Sequence, residues 1–139
     1  MTDIFSPSRR SEIMRSIKPR GNRSTELRLA TIFRRAGLTG WRRHIKLPGR
    51  PDFTFKKQLV AVFVDGDFWH GHPRRFKLPH SNAAFWEEKI RYNRAKDKRV
   101  ARLLRSQGWT VVRIWESTLS RQPDFCLRRV LRALKKSGA

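Results

Sequence analysis

Acidic residues are scarce in this sequence: Asp and Glu number 11 against 33 Lys and Arg, a formal net charge of +22. A surface of that sign repels cationic partners and favours a polyanion, of which nucleic acid is the usual one. Cysteine is scarcer still. A lone Cys126 leaves no mate for an internal disulfide and no cysteine-rich zinc cage, which fits a reducing, cytoplasmic setting. No apolar run approaches the ~20 residues of a membrane span, and Met1 to Arg10 lacks the apolar stretch of a secretory signal, so no membrane association is expected. Internal repeats and low-complexity linkers are missing as well. What the sequence does have is core material. It is 38% hydrophobic and 11% aromatic, with five Trp, more than a disordered basic tail carries. Its 139 residues suit one domain.

Residues 1–23 are polar and basic, with Ile13, Met14 and Ile17 as the apolar positions before Pro19. They read as a short exposed helix; composition alone leaves open a partly ordered tail. A firmer helix is expected at 24–36, capped by Ser24 or Thr25 and stopped by Gly37. Leu29, Ile32, Phe33 and Ala36 form its apolar stripe, with Glu26 on a different face, where it could be merely solvated. Strands follow at Trp41 to Leu47, at Pro51 to Phe55, and at Leu59 to Val64. The last is a continuous apolar run suited to a strand buried on both faces. A long helix from about 82 to 106 leads to a strand at Trp109 to Trp115 and a final helix at about 124–136. The order predicts an α/β fold. The first three strands form an antiparallel meander, and a crossover through the long helix completes a mixed central sheet flanked by helices.

Two carboxylates stand out in so basic a chain. Asp52 opens one strand and Asp65 closes the next. A tight turn at 56–58 centres the hairpin near residue 57.5, so position 52 faces 63 and Asp65 lies one pleat step away on the same face. Such a pair could hold a divalent cation with oxygen ligands, Mg²⁺ above all. Equally, Asp52 could cap a strand and Asp65-Gly66 could be a common turn pair. Phe68-Trp69-His70 follows at once. Aromatics side by side in a loop are costly to leave in water without a use, and bases offer one. His70 is of the residue type whose unperturbed pKa suits a general base; one of the two aromatics could simply pack on the sheet. On the long helix, Trp86, Lys89, Asn93 and Asp97 fall at steps of three or four. They make either a DNA-facing row, with Asp97 placed to orient a His or a water, or a solvated Lys–Asp face.

These residues resemble the very short patch repair (Vsr) endonuclease family. The motifs are Arg-Ser-x-x-Met-Arg at 10–15, Leu-Pro-Gly-Arg-Pro-Asp-Phe at 47–53, Phe-Trp-His at 68–70, Phe-Trp-x-Glu-Lys-Ile at 85–90 and Gly-Trp-x-Val-x-x-x-Trp-Glu at 108–116. Each alone is weak, but five in order are specific. The resemblance implies a restriction-endonuclease-like, PD-(D/E)XK-type core, spanning 21–139 as one endonuclease domain behind a DNA-contacting arm at 1–20. It implies a Mg²⁺-dependent nick 5′ of the thymine in a T:G mismatch, in double-stranded DNA. Such a nick starts repair of deaminated 5-methylcytosine in a bacterial cytoplasm, with mismatch-repair proteins as possible partners.

By the resemblance, Asp52 and the Val64 carbonyl would bind the metal, with Glu26 and Asp65 close by. His70 would activate water, supported by Asp97. Phe68, Trp69 and Trp86 would intercalate from one groove and Met14 from the other. Lys89 and Asn93 would read the mismatched bases, with Arg50 and Lys46 as further DNA contacts. Family members commonly carry a structural zinc. At the matching places this sequence has Asp67, His72, Arg74-Arg75 and Ser117, no full tetrahedral set, so no structural zinc is expected. Asp67 and His72 could still ligate a metal. A monomer is expected, because a nick needs one active site. The alternatives are a same-fold nickase with another mismatch, damage or sequence target, and a catalytically silent basic DNA-binding protein.

Overall fold

The computed structural model describes residues 23–67 and 81–137. Helix α1 spans Arg23–Arg35, with Glu26 in its first turn and Arg34 and Arg35 in its last, charges that complement the helix dipole. Gly37, at φ +74°, ends it, and the Leu38 N–H reaches back to the Phe33 carbonyl at 2.9 Å. Strands β1 (Trp41–Arg43), β2 (Phe53–Phe55) and β3 (Val60–Asp65) form the meander. Helix α2 (Ala83–Ser106) leads to β4 (Thr110–Trp115), and the short α3 (Glu116–Arg121) and α4 (Pro123–Ser137) close the order.

The sheet order is β1-β2-β3-β4. The first two pairings are antiparallel and β3 runs parallel to β4, so the α2 connection is the expected crossover. Phe53 pairs with Val62 and Thr54 with Ala61. Carried one residue on, that register sets position 52 against 63, as the turn centre implies.

Strand alternation sends side chains to two cores. On one face, Phe53, Phe55, Val60, Val62 and Val64 pack with Leu29, Ala30 and Phe33 of α1, Leu119 of α3, and Cys126 and Val130 of α4. On the other, Ala61 and Phe63 meet Leu104 of α2, flanked by Leu47, Val100 and Trp109. The helices therefore cover both faces. Phe33 organises the first core, meeting Phe53, Phe55 and Trp41 edge-on at 5.2, 5.7 and 5.9 Å between ring centroids. Each such pair contributes about 0.5–1.5 kcal/mol beyond its buried area.

Several boundaries differ from the sequence expectation, each for a local reason. Strand β1 stops at Arg43 because His44 turns into the left-handed region, at φ +52°. Leu59 leaves the apolar run: it ends the turn at φ +57° and is 39% exposed, so β3 starts at Val60. Helix α3 is absent from the expectation; six residues with one buried side chain, Leu119, give too short a period to read. Glu26 does not lie off the buried stripe of α1. It is 8% exposed and heads the row Glu26, Leu29, Ala30, Phe33, because steps of three and four from 26 lead onto that row.

Candidate active site

The site is built around Asp52, which the sheet buries completely. Its backbone N–H continues the hairpin ladder to the Val62 carbonyl at 2.9 Å. Its Oδ2 accepts the Val64 N–H at 2.7 Å. The carboxylate is thereby tied across the end of β3, at the residue whose carbonyl the resemblance implies as a metal ligand. A buried carboxylate that accepts a backbone N–H in this way holds one orientation, which is what a metal ligand needs.

Two more side chains converge there. Glu26 reaches in from the first turn of α1. His44 arrives from the residue just past β1; its left-handed backbone is a conformation that β-strand continuation would never give. Since Arg43 pairs with Phe53, the same register sets His44 beside Asp52. Ligand atoms of Glu26, His44 and Asp52 all lie within 4.8 Å of one another, the one such group of metal-ligating side chains among the described residues. Arg43 joins them. Its Nη2 donates to Glu26 Oε1 at 3.2 Å and stands 3.2 Å from His44 Nε2, which lies 3.4 Å from the same Glu26 oxygen. The guanidinium also sits over the Phe53 ring, 5.4 Å from its centroid.

Asp65, the last residue of β3, is held by Arg113 of β4, whose Nη1 lies 2.8 and 3.1 Å from its two oxygens. Arg113 Nη2 is 3.6 Å from Asp97 Oδ1 on α2, and its guanidinium carbon stands 4.3 Å above the Phe63 ring. Nothing in the hairpin pattern announces the arginine, which comes from the neighbouring parallel strand. A basic cleft opens beside it, lined by Lys98, Arg102, Arg105 and Arg113 with Asp97 at its edge.

On α2, Trp86, Asn93 and Asp97 lie half-buried on the row that continues through Val100 to buried Leu104, while Lys89, spaced on the same face, is exposed. Trp86 meets Phe85 edge-on at 5.0 Å. Phe85 is 55% exposed. Lys46 and Arg50 are both exposed, Arg50 at φ +48°. Val64 is fully buried. Asp67 Oδ1 accepts the Ser117 N–H at 3.4 Å, joining two of the positions where relatives of the resemblance would carry zinc ligands. Met14, Phe68, Trp69, His70, His72, Arg74 and Arg75 lie outside the described residues, as does the arm at 1–20. His44, Arg43 and Arg113 are the participants that sequence reasoning missed. Arg43 and Arg113 are two of 33 basic residues and so carried no contrast, and His44 reaches the site from a turn just past β1 that no local pattern marks.

A family model described as DNA mismatch endonuclease Vsr matches residues 2–75. The chain belongs to the Vsr family. The type II nicking enzyme V.NmeDIP of Neisseria meningitidis serogroup C is 36% identical over 136 residues, covering 96% of this chain and 90% of that protein. The DNA mismatch endonuclease Vsr of Escherichia coli K12 is 38% identical over 120 residues, 86% of this chain and 76% of that one. The type II nicking enzyme V.XorIIP of Xanthomonas oryzae pv. oryzae is 38% identical over 122 residues, covering 86% and 88%. This Vsr-family chain is therefore an endonuclease acting on DNA, and its mixed sheet between helices is the restriction-endonuclease-like fold of the family. No helix among the described residues is long and apolar enough to cross a membrane.

Proposed function

We propose that the protein is a Mg²⁺-dependent nickase that cuts one strand of duplex DNA 5′ of the thymine in a T:G mismatch and so starts short-patch repair of deaminated 5-methylcytosine. The observation that carries the proposal is the convergence of buried Asp52 and Glu26 on one end of the sheet, with Asp52 tied to the Val64 backbone. Oxygen donors of that kind fit a hard divalent cation. Asp52 and the Val64 carbonyl would hold the ion, with Glu26 beside them. Bound there, it would supply charge stabilisation at the scissile phosphate and favour ionisation of water.

The chain's own residues divide the remaining work. His70 takes the proton from the attacking water, and Asp97 fixes the imidazole's orientation. The phosphorus–oxygen bond to the 3′ oxygen breaks, leaving a 3′ hydroxyl and a 5′ phosphate. Phe68, Trp69 and Trp86 stack beside the mismatch, and Met14 wedges from the opposite groove. A mismatch unstacks at less cost than a matched pair, and that difference is a source of selectivity. Lys89 and Asn93 contact the exposed bases. Lys46 and Arg50 steady the backbone, and the charge of +22 supplies the sequence-independent attraction. The protein acts as a monomer in the cytoplasm.

The test is a nicking assay on end-labelled duplexes carrying one T:G, U:G or T:A pair. Mg²⁺ is compared with EDTA, and the native chain with Asp52→Ala. A Mg²⁺-dependent nick beside the mismatched T, lost in the variant, is the expected result. A nick of equal rate on T:A would instead assign the same chemistry to a different target. Tight binding with no cleavage of any duplex would make the chain a silent DNA-binding protein.

A further inference from the structure

Two carboxylates suffice to explain an oxygen-ligated ion, and the imidazole beside them has no part in that account. His44 reaches the cluster only because its backbone leaves the β region. A non-glycine residue in the left-handed conformation costs of order 1 kcal/mol and persists where the surroundings hold it. Here it ends β1 at Arg43 and turns the ring toward Glu26, with Nε2 3.4 Å from Oε1. Ligand atoms that share one ion stand about 3–4 Å apart, given metal–ligand distances near 2.1 Å. The His44–Glu26 separation already falls in that range, and the whole triad lies within 4.8 Å. The ring is 45% exposed on its side chain, whereas Glu26 is 10%, so the imidazole closes the site on its solvent side.

Arg43 determines how such a site would fill. Its Nη2 lies 3.2 Å from both Glu26 Oε1 and His44 Nε2. One amino nitrogen, with two N–H bonds, thus faces both the Glu26 oxygen and the His44 nitrogen that a cation would take. Its Nε is buried with no hydrogen-bond partner among the described residues, so the guanidinium is not fully satisfied where it sits. With 27% of its side chain exposed, it has a way out to solvent.

We infer that His44 is a nitrogen ligand of the divalent cation at Asp52 and Glu26, and that Arg43 competes with that cation for the lone pairs of His44 and Glu26. The inference rests on the metal site of the proposed function and deepens it. A site of two carboxylates and one imidazole accepts Mn²⁺ or Co²⁺ better than an all-oxygen site does, because imidazole suits the transition ions and Mg²⁺ prefers oxygen.

Manganese alone is the probe, with the full chain and no DNA. Binding is followed by the loss of the free-ion electron spin resonance signal, and ligation by the ¹⁴N modulation that a coordinated imidazole imprints on the bound ion. The native chain and His70→Ala should both show the modulation. His44→Ala should lose it and bind Mn²⁺ roughly tenfold more weakly, with an unchanged melting temperature that excludes a folding defect. Arg43→Gln should bind Mn²⁺ several-fold more tightly, since a charge-assisted competitor is gone. Asp52→Asn should abolish binding. Unchanged affinity and modulation in His44→Ala, with binding still lost in Asp52→Asn, would overturn the role of His44 and leave the metal site standing. Weaker binding in Arg43→Gln would overturn the competition. Binding that survives Asp52→Asn would overturn the underlying site as well.

Discussion

Arg113 grips both oxygens of Asp65, at 2.8 and 3.1 Å, and so ties the last residue of β3 to the neighbouring parallel strand. Asp65 has 6% of its side chain exposed and Arg113 24%. Removing one partner of such a pair leaves a charge with little water to replace it. Arg113→Met should therefore lower unfolding free energy by about 3 kcal/mol, read as a drop in the urea midpoint. The double variant Asp65→Asn with Arg113→Met should recover part of the loss. Arg113→Lys should fall between, because an ammonium cannot reproduce the fork on two oxygens while also reaching Asp97. A loss in the double variant equal to that in Arg113→Met would show that packing over Phe63, rather than the stranded carboxylate, sets the cost.

The same pair marks what the sequence does and does not reveal. The turn at Lys56-Lys57-Gln58 offers a hairpin centre, and the observed Phe53–Val62 pairing agrees with it, but sequence alone left a slip of one residue open. The crossover was legible because a long helical stretch between two apolar strands has few other solutions. Asp52 was legible as a residue out of place in a basic chain. Glu26 was placed near it only by the family resemblance, since the approach of its helix to the sheet is a tertiary fact. His44 was not legible: it comes from a backbone turn at φ +52° with no glycine to announce it. Arg113 is one of 33 basic residues; the parallel register sets it beside Phe63, and its side chain reaches along the strands to Asp65. Local pattern gives the elements and a candidate register. The side chains that meet across elements depend on packing that the pattern does not encode.

Gly49 lies in the Leu-Pro-Gly-Arg-Pro stretch that leads into β2, at φ +76°, and a Cβ built there would stand 2.5 Å from Val100 Cγ1 and 3.2 Å from Phe63 Cε1. Two penalties then add: a left-handed backbone that alanine resists, and overpacking against the second core. Gly49→Ala should destabilise the protein by about 2–3 kcal/mol. Val100→Ala in the same chain should restore part of that by vacating the methyl's space. Denaturant titration of the two single variants and the double gives the coupling between the two sites. Additive losses would mean that backbone strain alone is responsible.

Cys126 is fully buried in the first core. Burial pushes its thiol above the usual 9.0, and the nearby Arg129 only partly offsets this. The thiol is therefore expected to resist an aromatic disulfide reagent at pH 8 in the native chain and to react fully once unfolded. The sign of the linked stability follows from the raised value. Below pH 9 the thiol is protonated in both states and contributes its full stability. Above pH 9 the unfolded chain ionises first, and stability falls as pH rises toward the folded value. Cys126→Ala should flatten that part of the stability–pH curve. Rapid labelling of the native chain at pH 8 would show that α4 opens on its own.

Base reading and backbone attraction should separate between α2 and the segment before β2. Lys46 stands exposed, whereas Asn93 lies half-buried on the α2 row of Trp86 and Asp97, so the two residues should meet DNA in different ways. An exposed ammonium that neutralises a phosphate releases about one counterion, and the slope of log K against log salt should shrink by about 0.9 on its removal. Lys46→Gln should then weaken T:G and T:A duplexes alike. A half-buried, uncharged amide has only its hydrogen-bonding edge to offer, and it discriminates between bases rather than attracting phosphate. Asn93→Ala should leave the salt slope unchanged and narrow the T:G over T:A preference by about 1–3 kcal/mol. Fluorescence anisotropy on both duplexes across a salt series measures slope and preference together. Should Lys46→Gln narrow the preference and keep its slope, Lys46 would be a base-reading side chain and the attraction would belong to the remaining basic surface.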